Sequence, residues 1–304
     1  MPRKIIIKKN IDFLQTSNYK EIEKNKNVVI CLSVYNNEFG LPYCLKNIKK
    51  IKDVFDKLNI VVFYDNSKDK SLEILNNFKK NENIDIDIII NKNKKFNLRT
   101  ANIAHARNSL LKIIREKYND YYYFIMMDTN EYACVGEINR DLIYDVIHNE
   151  KYDYDALSFD REAGYYDTWA LSFDPYIYSF FHFNNWEKVV DNMRLEFNKL
   201  LNNHEKNNLI SVYSSFNGFC IYKTNKFINC SYSSNIDKNL FPEGSIKKQE
   251  TLVENTILNK LYDDCEHRKF HLEAIKKNNA KIRICKNYIF FKFKNPHHSS
   301  RGPS

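Results

Sequence analysis

The sequence predicts an α/β fold with a mostly parallel central sheet flanked by helices. Three apolar runs carry that expectation: residues 28–34 (VVICLSV), 60–64 (IVVFY) and 121–127 (YYYFIMM). Each is free of charge, too short for a core helix, and rich in β-branched or aromatic residues. Such uninterrupted strands are buried on both faces, as in parallel sheets covered by helices on each side. Each run ends on a polar loop and hands over to a helical pattern, and strand–loop–helix units in series build a doubly wound sheet.

Taken in order, residues 1–26 read as a charged N-terminal arm packed on the outside. The first strand, 28–34, leads through Tyr35-Asn36-Asn37-Glu38 to a helix over 40–58. The second strand, 60–64, leads through Asp65-Asn66-Ser67 to a helix over 70–80. In the third, 84–90, Asp85 and Asp87 alternate with Ile84, Ile86 and Ile88, which suits an edge. A helix over 99–117 precedes the central strand 121–127. Beyond residue 135 the pattern loosens. Helices are expected at 142–148, 186–201, 251–261 and 266–277, and strands at 156–159, 210–215, 219–222, 281–285 and 289–293. No linker rich in Pro, Gly or Ser divides the chain, so 27–294 reads as one domain with halves 27–135 and 136–294. Residues 295–304 read as a disordered tail.

The 304 residues are 43% hydrophobic and 28% charged, an ordinary globular composition that excludes wholesale disorder. A formal charge of +9 admits an anionic small substrate as readily as an anionic polymer. No compact Arg-rich block marks a nucleic-acid face. The Lys and Asn excess runs through the whole chain in the style of an AT-rich genome, which suits a protist or a large DNA virus and a place in host cytoplasm or virion. Seven scattered cysteines without a CxxC pair read as reduced thiols in a cytoplasmic protein. No apolar segment approaches membrane-spanning length, and no signal peptide stands at the start. A P-loop, GxGxxG and GxSxG are all missing, and with them the main marks of kinases, dehydrogenases and hydrolases.

Ligands of doubly wound sheets sit beyond the carboxyl ends of the strands. Asn36, Asn37, Glu38, Asp65, Asn66 and Asp128 all fall there. Asp65 can accept hydrogen bonds from a ribose or a base, and the same stretch also reads as a turn capping a helix. Asp128, with Asn130 or Glu131, offers hard oxygens for a divalent ion bridging two phosphates, or forms a strand-end turn. In Asp263-Asp264-Cys265-Glu266-His267, Glu266 suits a general base and His267 a metal ligand or phosphate contact. The same acidic group also suits a helix N-terminus. Arg107 suits a phosphate clamp, or a salt bridge to a core carboxylate. Asp160-Arg161-Glu162 and Tyr165-Tyr166-Asp167-Thr168-Trp169 combine charges with aromatic faces, as sugar sites do.

In this order the pieces resemble glycosyltransferases of the GT-A type. VVICLSVYNNE is similar to the first strand and loop of family 2 enzymes, VVFYDNSKDKSLEIL to their second strand and turn. FIMMDTNE stands at the place of their Asp-x-Asp motif, and DDCEHRKFHLEAIKKNNAKIRI at that of the late Glu-Asp helix. RTANIAHARNSLL, YYDTWAL, VYSSFNGFCIYKTNKF and the DCEH segment resemble the fungal capsule-associated α-1,3-mannosyltransferase family. The resemblance implies a nucleotide-sugar donor, Mn²⁺ or Mg²⁺, and a glycan, glycoprotein or glycolipid acceptor, with no nucleic-acid partner. It implies a nucleotide-binding half 27–135 and an acceptor-binding half 136–294.

By this resemblance Asn36, Glu38, Asp65, Asn66, Arg107, Asp128 and Asn130 would serve the donor. Asp128, Asn130, Glu131 and His267 would serve the metal. Glu266, Asp160 and Glu162 would be catalytic, with Trp169 and Asn217-Gly218 orienting the acceptor. Asn130 stands where the motif has its second Asp, and His267 where the Glu-Asp pair has its Asp. The capsule-family likeness implies retention of configuration and the family 2 likeness inversion. A sugar nucleotidyltransferase and a non-catalytic glycan- or nucleotide-binding protein are the alternative readings.

Overall fold

The structure is a computed structural model and describes residues 24–93, 95–162, 164–203, 209–235, 237–254 and 263–291. The first half runs β1 (Asn27–Val34), α1 (Gly40–Lys50), β2 (Lys57–Tyr64), α2 (Ser71–Asn81), β3 (Ile86–Ile90), α3 (Arg99–Lys117) and β4 (Tyr123–Asp128). The second runs α4 (Glu131–Cys134), β5 (Glu137–Ile138), α5 (Arg140–His148), β6 (Ala156–Asp160), α6 (Trp186–Asn202), β7 (Leu209–Val212) and β8 (Phe219–Lys223). It continues with α7 (Thr224–Phe227), α8 (Ser245–Leu252), α9 (Glu266–Asn278), β9 (Ile282–Tyr288) and β10 (Phe290–Phe291).

One sheet organises these elements, in the order β3-β2-β1-β4-β8-β6-β9-β7. β1 to β4 are mutually parallel. β8 is antiparallel to both β4 and β6, so β6 and its parallel neighbour β9 run with the first half. β7 closes the edge antiparallel to β9, and β5 pairs with β10 in a separate ribbon.

Strand alternation explains the layers. On β1, Val29 and Cys31 pack on one face with Leu110 of α3, Val189 of α6 and Phe270 of α9. Val28, Ile30, Leu32 and Val34 pack on the other with Leu41 of α1, Leu75 of α2 and Leu142 of α5. Both faces are therefore covered, as the unbroken apolar runs require. The expected class, an α/β fold with a mostly parallel sheet between helices, is the observed one. The edge place of β3 and the central place of β4 agree as well.

Several boundaries move for tertiary reasons. The helix expected over 40–58 ends at Lys50, because residues 57–59 are recruited to pair with Asn27–Val29. β7 stops at Val212, since the amides of Tyr213 and Ser214 turn to the Ser172 carbonyl. β9 extends to Tyr288, which pairs with Asp160 across a register shift. β3 starts at Ile86, and β10 is described over Phe290–Phe291, with 292–293 outside the described residues. Of the helix expected at 251–261, residues 251–252 close α8, while 255–261 lie outside the described residues, as do 1–23 of the arm and the tail 295–304. All seven cysteines are buried free thiols. No helix among the described residues is long and apolar enough to cross a membrane.

Candidate active site

The carboxyl ends of β1, β2 and β4 open into a cleft of about 600 Å³. Asp65 enters from the end of β2, Asp128 and Asn130 from the end of β4, and Arg99 and Arg107 from α3. Tyr166, Asp167 and Trp169 come from the loop after β6, Phe216 from the loop before β8, and Glu266 and His267 from the start of α9. Of the expected site residues, Asp65, Arg107, Asp128, Asn130, Glu266 and His267 line this cleft. Asn36, Glu38, Asn66, Glu131, Asp160 and Glu162 do not.

The side chains outside the cleft have other work. Asn36 Oδ1 accepts from the Lys68 amide at 2.8 Å, and Glu38 Oε2 accepts from the Lys70 amide at 3.2 Å. Asn66 Nδ2 donates to the Asn91 carbonyl at 2.8 Å. These bonds tie the loops after β1, β2 and β3 together and so fix where Asp65 stands. Glu131 opens α4, and Glu162 is exposed in a turn. Asp160 is 8% exposed at the end of β6, and its Oδ1 has no hydrogen-bond partner among the described residues. Burial raises its carboxyl to about 6.

Arg107 organises the centre. It donates through Nη1 to Glu266 Oε1 at 2.5 Å and through Nη2 to Asp128 Oδ1 at 3.1 Å. Its guanidinium lies 4.5 Å from the Phe216 ring centroid, an added cation–π contact. The Arg107 and Glu266 side chains are 6% and 5% exposed, whereas Asp128 is 26% exposed and faces the open cleft. Burial raises the Asp128 carboxyl, Arg107 opposes that, and the Glu266 charge adds to it. His267 is driven well below its ordinary value by burial and by the Arg107 charge. Its neutral ring stacks on Phe216 at 3.9 Å.

At the β2 end of the cleft, Asp65 accepts from Asn91 Nδ2 at 2.7 Å and pairs with Lys95 at 3.3 Å. The Lys95 ammonium sits 3.4 Å from the Tyr35 ring centroid. On the opposite wall, Asn217 Oδ1 accepts the amides of Tyr166 and Asp167 at 3.1 and 3.3 Å, and Asn217 Nδ2 donates to the Phe159 carbonyl at 2.9 Å. Gly218 follows with φ +82, and a Cβ there would lie 2.7 Å from Tyr166 Oη. Burial, with the charges of Asp128 and Glu266, pushes the Asp167 carboxyl to about 6.

The sequence reading placed Asp167 only in an aromatic stretch, Tyr35 only in the loop after the first strand, Arg99 only at the start of a helix and Lys95 only within the general lysine excess. The signal for Asp167 was its place between Tyr166 and Trp169. The path of the loop then decided that it, rather than Glu162, reaches the cleft.

Among the described residues no group of three or more His, Cys, Asp or Glu gathers to hold a metal ion. Asn130 uses its Oδ1 to cap α4, accepting from the Ala133 amide at 2.9 Å. The donor set therefore does not make a closed protein cage. It does fit a Mg²⁺- or Mn²⁺-type ion that takes one carboxylate, Asp128, and fills its shell with phosphate oxygens and water.

No family model matches the sequence, and no curated protein matches it. Solved structures do resemble it. Those include S. aureus TarS 1-349 in complex with UDP-GlcNAc, at 14% identity over 91% of this chain and 62% of that one, with a TM-score of 0.48. The mannosyltransferase PcManGT from Pyrobaculum calidifontis, in complex with GDP-Man and Mn²⁺, is 12% identical over 78% of this chain and 57% of that one, with a TM-score of 0.44. GalNAc-T7 with UDP, GalNAc and Mn²⁺ is 11% identical over 87% and 43%, with a TM-score of 0.46. The chain thus spans less than two thirds of the structures it resembles, and likeness at this level carries no argument about activity.

Proposed function

We propose that the chain is a GT-A-type glycosyltransferase that moves a sugar from a nucleoside-diphosphate donor, GDP-mannose or another NDP-hexose, to a hydroxyl of a glycan, glycoprotein or glycolipid. The observation that carries this reading is the placing of Asp65 and Asp128. They stand at the carboxyl ends of β2 and β4, on either side of β1, and open into one cleft with Arg99 and Lys95. That is where a doubly wound sheet binds a nucleotide. The resemblance of the sequence segments to that class supports it independently.

In this reading Asp65 receives the nucleoside, and Arg99 and Lys95 supply positive charge for the diphosphate. Asp128 would hold a divalent ion, which when bound stabilises negative charge on the leaving diphosphate. Arg107, clamped by Glu266, holds Asp128 in place and opposes the effect of burial on its carboxyl. Residues 27–135 serve the donor, and the 165–169 wall with Phe216 serves the acceptor.

The test is a binding and turnover screen of UDP- and GDP-sugars by calorimetry and product analysis, with Mn²⁺, Mg²⁺ or EDTA. One donor that binds and releases its nucleoside diphosphate is the expected result. Release of pyrophosphate would instead establish a nucleotidyltransferase, and binding without turnover a non-catalytic binder. Silence with every nucleotide sugar would end the reading.

A further inference from the structure

We propose that Asp167, and not Glu266, is the group that takes the proton from the acceptor hydroxyl. The inference rests on the glycosyltransferase reading above and names the residue that does its chemistry.

Two carboxylates of the acceptor side reach the cleft, and they are held differently. Glu266 is locked: Arg107 donates to it at 2.5 Å, His267 Nε2 lies 3.7 Å from the same oxygen, and the side chain is 5% exposed. That oxygen is engaged in holding the buried guanidinium of Arg107. Asp167 carries no such obligation. Among the described residues its carboxylate accepts one long hydrogen bond, from the Ala170 amide at 3.3 Å.

The setting of Asp167 suits a sugar hydroxyl. Its backbone is pinned by Asn217, so the carboxylate does not drift with the loop. Tyr166 and Trp169 flank it in the lining of the cleft, offering the aromatic faces on which sugars stack. Asp128 and Glu266 face it as like charges and Arg107 as the opposing one. Its carboxyl sits at about 6, close to where an efficient base for neutral pH belongs.

The step balances as a single displacement. The acceptor oxygen forms a bond to the anomeric carbon while its O–H bond breaks and the proton passes to an Asp167 carboxylate oxygen. The bond from the anomeric carbon to the diphosphate oxygen breaks, and its electron pair leaves with the nucleoside diphosphate. The anomeric configuration is inverted.

The experiment compares the full chain with Asp167→Asn and Asp167→Glu. The probes are UDP-N-acetylglucosamine, UDP-glucose and GDP-mannose with Mn²⁺, each offered methyl glycosides and water as acceptors. The expected result for Asp167→Asn is a loss of nucleoside-diphosphate release of about a hundredfold or more, as for removal of a general base. Donor affinity by calorimetry stays within about twofold of the wild type, as such a loss of the base alone predicts. Asp167→Glu restores part of the rate, and NMR of the product shows inversion. Wild-type turnover that survives Asp167→Asn, or a product with retained configuration, would overturn this inference while leaving the transferase reading intact. A wild type that binds and turns over none of the donors would overturn both.

Discussion

Glu266 and Arg107 meet at 2.5 Å with side chains 5% and 6% exposed, although 159 positions separate them in sequence. The pair joins the first turn of α9 to α3 and orients the guanidinium toward Asp128. Removing Glu266 leaves the buried guanidinium with the more exposed Asp128 as its carboxylate partner. Glu266→Ala should therefore lose up to about 3–5 kcal/mol of stability in urea unfolding. Glu266→Gln, which keeps an acceptor oxygen, should lose less. An unchanged unfolding midpoint in the alanine variant would refute the structural role assigned to this pair.

Asp160 should make stability fall as pH rises. Its carboxyl moves from 3.8 to about 6 on burial, so the folded state binds the proton more tightly than the unfolded chain does. The resulting stabilisation is complete below about 3.8 and is lost as pH rises through about 6. Asp160→Asn removes the titration. Its melting temperature relative to wild type should climb across that window, reaching a gain of up to about 3 kcal/mol at pH 8. A difference that stays flat from pH 4 to 8 would count against the assignment.

Arg268 is 2% exposed and holds the 166–169 wall of the cleft from beneath. It pairs with Asp264 at 2.8 Å and donates to the carbonyls of Trp169, Leu171 and Ile177 at 2.6, 3.2 and 3.2 Å. Lysine cannot reproduce that fork. Arg268→Lys should cost about 2–4 kcal/mol, with faster amide exchange concentrated in 169–178 by hydrogen-exchange mass spectrometry. Exchange that rises evenly over the whole protein would argue against a local role.

Two glycines are placed by close approach. A Cβ on Gly40 would lie 2.2 Å from the Thr129 carbonyl oxygen, in the backbone that follows Asp128. Gly218 adds a positive φ to its contact with Tyr166. Gly218→Ala should lower stability by about 1–3 kcal/mol through backbone strain and displace Tyr166. Tyrosine fluorescence and donor affinity report the two effects. Gly40→Ala should be worse, because backbone rather than a side-chain tip must yield.

The strands and site residues of the first half were legible in the sequence. Val28–Val34 and Tyr123–Met127 declare strands covered on both faces, because an unbroken apolar run has no face left for water. Strand ends follow from the first polar residue, which is how Asp65 and Asp128 were found without coordinates. The helix 99–117 was legible to the residue, although its buried face includes Thr100 and Arg107 beside Leu110, Leu111 and Ile114.

Only the tertiary structure decided the second half. That β8 inserts reversed between β4 and β6 is a matter of long-range pairing, to which local periodicity is blind. The choice of carboxylates was decided the same way. Asp160, Glu162 and Asp167 are alike in sequence, within one stretch of charges and aromatics. Asn217, arriving from the loop before β8, draws the backbone of Tyr166 and Asp167 into the cleft and leaves Glu162 in solvent. Glu266 read as a general base or a helix-start acid, and only the packing of α3 beside α9 on one face of the sheet brings Arg107 onto it. Sequence determined where the strands end. Packing between segments 50 to 159 residues apart determined which charges are neutralised there and which remain open to the cleft.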